Sequence, residues 1–517
     1  MRPDRLKVLG PDMSAENFAF VIDQNRCIGC HACTVACKEE HEVPIGVFRT
    51  WVKHVEKGSF PNTSRHFGVL RCNHCDAAPC IAICPTRALF RRHDGIVDFD
   101  NANCIGCKGC MQACPYDALY IDPNSNTAGK CNFCAHRIES ELNPACVIVC
   151  PTQAIVAGDI ADPSSKVSQI IAREKVTVRK PHKGTQPKVF YVGIEGDLLQ
   201  ASTLAAQGSY VWAERCVDAK TRENFDPQQT REVYDVSHPA PWKHKISAYL
   251  WTKSVSAGAL LVPAILLALT RRVQELFTVI CPSIALCALA VTSLLLIFDL
   301  KRPDRFYFLI TRPNLRSWLV LGGYILMGYG GLATAWLLMG AITGRVPGFL
   351  IALAAAFAIG SACYSAFLFA QAKGRDLWQS PLFLWHLLVQ ALSAGASVVL
   401  LAGVASGVPF QILRDAALIL FSALLLGLAM VLAEIVLPHA TEDASLAYRT
   451  LVKGQYRVRF WGVAVGIGFL VPILLSAFFL FWQVSIRLAA VSAIMALAGI
   501  LGFEDVWVKA GQVVPLS

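Results

Sequence analysis

The chain has 517 residues, of which 54% are hydrophobic and only 16% charged, with a net charge of +10 and a mean hydropathy of +0.46. That is too apolar for a soluble protein of this size. The positive balance has no basic stripe interleaved with aromatics, which argues against nucleic acid as a partner.

From the N-terminus, Met1 to Phe20 shows neither a cationic-then-apolar pattern nor a twin arginine, so no export signal is expected. Sixteen of the twenty cysteines then fall into four groups. Cys27, Cys30, Cys33 and Cys37 read C-x2-C-x2-C-x3-C. Cys72, Cys75, Cys80 and Cys84 read C-x2-C-x4-C-x3-C. Cys104, Cys107, Cys110 and Cys114 repeat the first spacing, and Cys131, Cys134, Cys146 and Cys150 read C-x2-C-x11-C-x3-C. The bacterial ferredoxin run places three close thiolates on one [4Fe–4S] cube and a fourth on the neighbouring cube. Structural zinc also uses paired C-x2-C knuckles, but rarely with a third cysteine two residues on and a fourth before proline. A disulfide framework fits worse, because the chain is large and Cys216, Cys281, Cys287 and Cys363 share no spacing.

The repeated unit implies two ferredoxin-like modules, the middle groups pairing with each other and the outer groups pairing around them. The expected sets are Cys27/Cys30/Cys33/Cys150, Cys131/Cys134/Cys146/Cys37, Cys72/Cys75/Cys80/Cys114 and Cys104/Cys107/Cys110/Cys84. Pro85, Pro115 and Pro151 follow three of the last cysteines and fix the backbone as it leaves. Residues 188–192 alternate as a strand, and the polar run 218–245 reads as a tether.

Beyond residue 245 the chain holds eight stretches of the roughly 20 apolar residues that a membrane span requires. They are 246–270, 275–298, 316–340, 346–370, 381–404, 411–437, 458–482 and 485–506. The fold expected is α+β: a tandem ferredoxin-like domain (1–195), a linker (196–245), an all-α polytopic bundle of eight transmembrane helices (246–508) and a tail (509–517). Loops on the side shared with the cysteine domain carry 13 Lys and Arg (Lys243, Lys245, Lys301, Arg302, Arg305, Arg312, Arg316, Lys373, Arg375, Arg449, Lys453, Arg457, Lys509). The other side carries 5 (Arg271, Arg272, Arg345, Arg414, Arg487). Cytoplasmic loops collect such residues, so the cysteine domain is expected on the cytoplasmic side of a bacterial or archaeal inner membrane.

The four groups, with Cys27-Ile-Gly-Cys-His-Ala-Cys-Thr-Val-Ala-Cys37 and Arg49-Thr-Trp51, resemble the four-cluster iron–sulfur subunit of the molybdopterin dimethyl sulfoxide reductase superfamily over residues 20 to 195. Residues 242–508 resemble the polysulfide-reductase-type (NrfD-like) membrane subunit. Ser247-Ala-Tyr-Leu-Trp-Thr-Lys-Ser-Val-Ser-Ala-Gly258 and Asp299-Leu-Lys-Arg-Pro-Asp-Arg-Phe306 carry that likeness. The resemblance implies a fusion of two usually separate subunits. It would conduct electrons through four [4Fe–4S] clusters between a separate molybdenum or tungsten catalytic subunit and the lipid-borne quinone pool (menaquinone or ubiquinone). The outer cysteine groups would lie nearer the catalytic subunit and the middle groups nearer the membrane.

A quinone site needs a proton-bearing group beside each ring oxygen, and ionisable residues within spans point to function. Lys253, His386 and Glu434 within spans, with Asp299, are the candidates for proton transfer. Tyr249, Arg302, Arg305 and His439 are candidates for the rim, and Gln371, Glu504 and Asp505 share the same face. The bland alternative for each is snorkelling or an interhelical ion pair. The far half is expected to be poor in ionisable groups, with Glu275 at its surface and deeper polar residues that are mainly Tyr, Ser and Thr, such as Tyr324, Tyr329 and Tyr364, so quinone protons are expected to exchange on the cytoplasmic side without pumping. His386 is the only histidine well inside a span, so no bis-histidine haem is expected, and no G-x-G-x-x-G follows a strand.

These expectations describe a cytoplasm-facing dehydrogenase of the sulfite or formate type that reduces quinone. The rival in the same class is a quinol-oxidising reductase of the polysulfide or dimethyl sulfoxide type. From other classes come a membrane adaptor for a hydrogenase or other respiratory complex, and a zinc-stabilised transporter.

Overall fold

The computed structural model describes residues 16–59, 61–194, 196–199, 230–482 and 485–517. Cys216, residues 1–15 of the expected signal-free terminus and most of the tether lie outside the described residues. The chain divides into two units, 1–239 with 515–517, and 240–514.

In the first unit, strand β1 (Phe18–Asp23) is apolar at every position but the last, and Ala19, Phe20, Val21 and Ile22 are all buried. β2 (Thr50–Ser59) and β3 (Asn62–Arg71) form a long antiparallel pair. Two short hairpins follow, β4 (Leu89–Arg91) with β5 (Val97–Phe99) and β6 (Leu119–Ile121) with β7 (Ala128–Lys130). β8 (Ile155–Asp159) lies antiparallel to β1, while β10 (Val189–Val192) lies parallel to it and carries β9 (Val176–Thr177) at the edge. The strand expected at 188–192 is therefore the inner neighbour of β1. β11 (Arg231–Tyr234) adds to β2, which corrects the expected linker: part of 196–245 is sheet. Buried Lys53 of β2 holds it there by ion pairs to Glu232 (2.8 Å) and Asp235 (3.2 Å).

Short helices grow out of the cysteine groups: α1 (Ala32–Glu40), α2 (Pro79–Ile83), α3 (Gly109–Ala113), α4 (Ala135–Ile138) and α5 (Ala145–Ile148). Cys84 and Cys114 terminate α2 and α3 in extended conformation, with proline next. A helix cannot run into that residue, because the one before proline is pushed out of the helical region. α1 packs on α5 and α2 on α3, so the outer groups meet each other and so do the middle groups.

The second unit is a bundle of eight helices long and apolar enough to cross a membrane: His244–Thr270, Leu276–Asp299, Trp318–Thr343, Gly348–Ala370, Phe383–Ser406, Phe410–Val436, Arg459–Trp482 and Ile486–Ala510. Each lies within a few residues of its expected span. Spans 1 and 5 are the most enclosed (72% of an 18-residue apolar window buried), and span 2 the least (22%). Gly258 and Gly395 let spans 1 and 5 touch backbone to backbone; a Cβ on either would overlap the other helix. Small residues at such crossings are how helices associate in lipid, where apolar side chains gain nothing from leaving the solvent. The segment 439–457, expected as loop, contains a helix, Glu442–Val452. Thr441 caps it by accepting from Ala444 N–H, and Glu442 and Asp443 lie in its first turn.

Candidate functional site

Each cysteine group wraps its thiols by the same backbone device. The residue two after the first cysteine takes a left-handed conformation in all four groups: Gly29 (φ 69°), His74 (43°), Gly106 (66°) and Phe133 (63°). Glycine adopts this freely, whereas His74 and Phe133 do so at a cost of about 1–2 kcal/mol each. That strain persists because the turn is needed to direct three thiols inward.

The thiols assemble into four sets. Cys27, Cys30, Cys33 and Cys150 line one pocket. Cys84, Cys104, Cys107 and Cys110 line another. Cys37 lies among Cys131, Cys134 and Cys146, and Cys72, Cys75, Cys80 and Cys114 lie together. Burial first, and then the charge of the neighbouring thiols, pushes Cys33 up to about 11 and Cys107 and Cys134 up to about 12. Cys150 is instead held below the ordinary thiol value: against burial, the Ile155 and Ala154 N–H groups and the Thr152 hydroxyl favour its thiolate.

This donor set fits iron–sulfur cubes. Four thiols surround a void in two of the sets. The sets also follow one another. Cys33 of the first lies near Cys146 of the second, Cys131 of the second near Cys72 of the third, and Cys80 of the third near Cys110 of the fourth. Sulfur receives hydrogen bonds from the protein as well. Arg71 Nη1 reaches Cys146 Sγ at 3.1 Å, and His41 Nε2 lies 3.2 Å from Cys134 Sγ.

In the second unit the candidate residues separate into two neighbouring clusters. His386 of span 5 faces Glu434 of span 6, with Nε2 3.4 Å from Oε2. The approach is close enough for an ion pair but out of line for a hydrogen bond, and Nε2 has no hydrogen-bond partner. Glu434 accepts from Ser380 Oγ and from Tyr448 OH, each at 2.8 Å, and His439 stacks on Tyr448. Lys253 lies elsewhere, donating to Ala362 O (2.9 Å) and Ser365 Oγ (2.7 Å) and sitting over the Tyr364 ring. Tyr364, expected in the far half, thus belongs with Lys253. Tyr249 lies one turn before Lys253, beside Tyr364 and Ser365 and toward Asp299 and Glu504.

Span 8 joins the two clusters. Phe503 stacks on His386, and the next residue, Glu504, is fully buried with neither carboxylate oxygen hydrogen-bonded. Gln390, one turn after His386, stands beside it. Arg302 and Arg305 pair with Asp304 (2.9 and 3.8 Å) on the loop after span 2, and neither joins the His386–Glu434 pair. Tyr448, Ser380, Gln390 and Ser365 escaped sequence reasoning. For Tyr448 a signal existed: Ala444, Ala447, Tyr448 and Leu451 repeat at helical spacing and are all buried.

Residues 232–515 match the family described as polysulphide reductase, NrfD. Residues 64–160 match a 4Fe–4S dicluster domain and 18–39 a 4Fe–4S binding domain. Among curated relatives, a tetrathionate reductase subunit of Salmonella typhimurium is 47% identical over 183 residues, which is 34% of this chain and 73% of that protein. A polysulfide reductase chain of Wolinella succinogenes is 40% identical over 181 residues, 34% of this chain and 95% of that protein. The arsenate respiratory reductase iron–sulfur subunit of a Shewanella species is 36% identical over 223 residues, 34% of this chain and 94% of that protein.

Proposed function

We propose that this chain, which belongs to the polysulphide reductase (NrfD) family and carries a 4Fe–4S dicluster domain on the same polypeptide, passes electrons through four [4Fe–4S] clusters between a separate molybdopterin subunit and membrane quinone. The observation that carries the reading is the succession of four thiol sets, each near the next. Bound cubes supply one-electron carrier chemistry. The sixteen thiolates hold them, and the buried loops exclude water. Around the first set, Cys30 is exposed and Ile28 (57%), Val35 (65%) and Ile148 (58%) present apolar surface, a patch suited to a catalytic partner.

At the membrane end, His386 and Glu434 are the pair that exchanges protons with quinone. His386 Nε2 offers its hydrogen-bonding capacity to one ring oxygen, and Glu434, held by Ser380 and Tyr448, stands beside the imidazole and passes protons onward. The excess of Lys and Arg on the near loops favours a cytoplasmic iron–sulfur domain with protons exchanged on that side. The names of the relatives favour one direction. They are subunits of tetrathionate, polysulfide and arsenate reductases, which supports quinol oxidation over the sulfite- or formate-oxidising alternative.

The test is to purify the chain with its partners, count iron and reduce it with a menaquinol or ubiquinol analogue. About sixteen irons per chain are expected from four cubes, with quinol reducing the clusters in the wild type. In Glu434→Gln, dithionite should still reduce them, and quinol should do so about 10²-fold more slowly. Zinc in place of iron, or equal quinol reduction in both proteins, would defeat the reading.

A further inference from the structure

We propose that Arg71 is a fixed positive charge between the first and second clusters that sets their potentials, an inference resting on the four-cluster reading. Arg71 ends β3 opposite Thr50 of β2, and its side chain is fully buried. Its guanidinium lies over the Phe20 ring at 4.4 Å, and Nη1 donates to Cys146 Sγ at 3.1 Å. Nε and Nη2 have no acceptor. The thiols near enough to act on it are Cys146, Cys131 and Cys37 of the second set and Cys33 of the first.

A buried guanidinium without a counter-charge is strongly unfavourable, and arginine does not relieve the cost by losing its proton. Among the described residues no carboxylate pairs with Arg71. A cube held by four thiolates would: it is anionic in both oxidation states and gains one further negative charge when it accepts an electron. No bond forms or breaks and no proton moves in that step, so the cation acts only by favouring the reduced form. The Nη1 hydrogen bond to Cys146 Sγ acts in the same direction, because a hydrogen bond to sulfur also favours the reduced form. The charge is felt most by the second set, which presents three of the four thiols. Lys130 is the contrasting case: it is buried near Cys72, but its ammonium is already held by the carbonyls of Val97 and Cys131.

Arg71→Gln and Arg71→Lys are compared with the wild-type complex by iron analysis and by redox titration monitored by electron paramagnetic resonance. In Arg71→Gln two midpoint potentials should fall, one further than the other, while two stay at wild-type values. Arg71→Lys, which keeps the charge, should load fully and stay near wild type. If Arg71→Gln fails to load while Arg71→Lys loads with wild-type potentials, the requirement for charge is again supported. Four unchanged potentials in Arg71→Gln, an equal shift of all four, or failure of both variants to load would each overturn the proposal. Fewer than about sixteen irons in the wild type would instead overturn the four-cluster reading.

Discussion

In the first unit a thiol set is written in short stretches of chain: Cys27, Cys30 and Cys33 span seven residues, and one further cysteine completes the set. In the second unit the His386–Glu434 cluster is drawn from spans 5, 6 and 8 and from a short helix between spans. The first arrangement needs a local turn, the left-handed residue two after each leading cysteine. The second needs the bundle to be assembled before any pair exists. A metal-binding unit can therefore advertise its chemistry by spacing, whereas a proton-handling site in a bundle is made by tertiary packing.

The sharpest way to break this comparison is a cysteine whose sequence group and spatial set differ. Cys37 belongs to the first run but lies among Cys131, Cys134 and Cys146. Cys37→Ser is expected to remove the second cluster, about four of about sixteen irons, and with it electron transfer between the ends. Iron analysis and paramagnetic resonance would read this; loss of the first cluster's signal instead would show that sets follow sequence runs.

The counterpart in the second unit leaves iron untouched. His386→Phe and Glu434→Gln are each expected to lower quinone-linked turnover by about 10²-fold, the typical share of a general acid–base group, with unchanged iron content. Turnover within twofold of wild type would remove the pair from the site. A packing change should act differently again. Gly258→Val drives a side chain into span 5 at Ala391 and Gly395, and a cost of about 1–3 kcal/mol is expected. Thermal unfolding in detergent would show it as earlier melting of the helical unit, with cluster signals retained at low temperature.

Legibility follows the same division. The eight spans are readable because lipid demands length and apolarity along one segment, and the structure places each within a few residues of its expected ends. The pairing of cysteine groups is readable because it is a local rule applied twice. β11 is not, since Arg231–Tyr234 looks like polar tether until β2 supplies Lys53 as the partner of Glu232 and Asp235. The candidate quinone residues stand out singly by the cost of burying charge. Their division into a His386–Glu434 cluster and a Lys253–Tyr249 cluster depends on helix rotation, which a sequence with apolar residues on every face does not encode.

Tyr448 offers the finest test of that division. Its hydroxyl is one of two neutral donors that hold Glu434, the other being Ser380, and it lies on a helix outside the spans. If its role is to orient the carboxylate, Tyr448→Phe removes one hydrogen bond while leaving the ring stacked on His439. A buried hydrogen bond of this kind is worth about 1 kcal/mol, roughly fivefold in rate. The expected result is a drop of that size in quinone-linked turnover, little change in iron content, and a larger loss when combined with Ser380→Ala, because Glu434 would then have only His386 beside it. Equal loss in the single and double variants would mean that Ser380 adds nothing to the hold on Glu434 and that Tyr448 alone fixes the carboxylate.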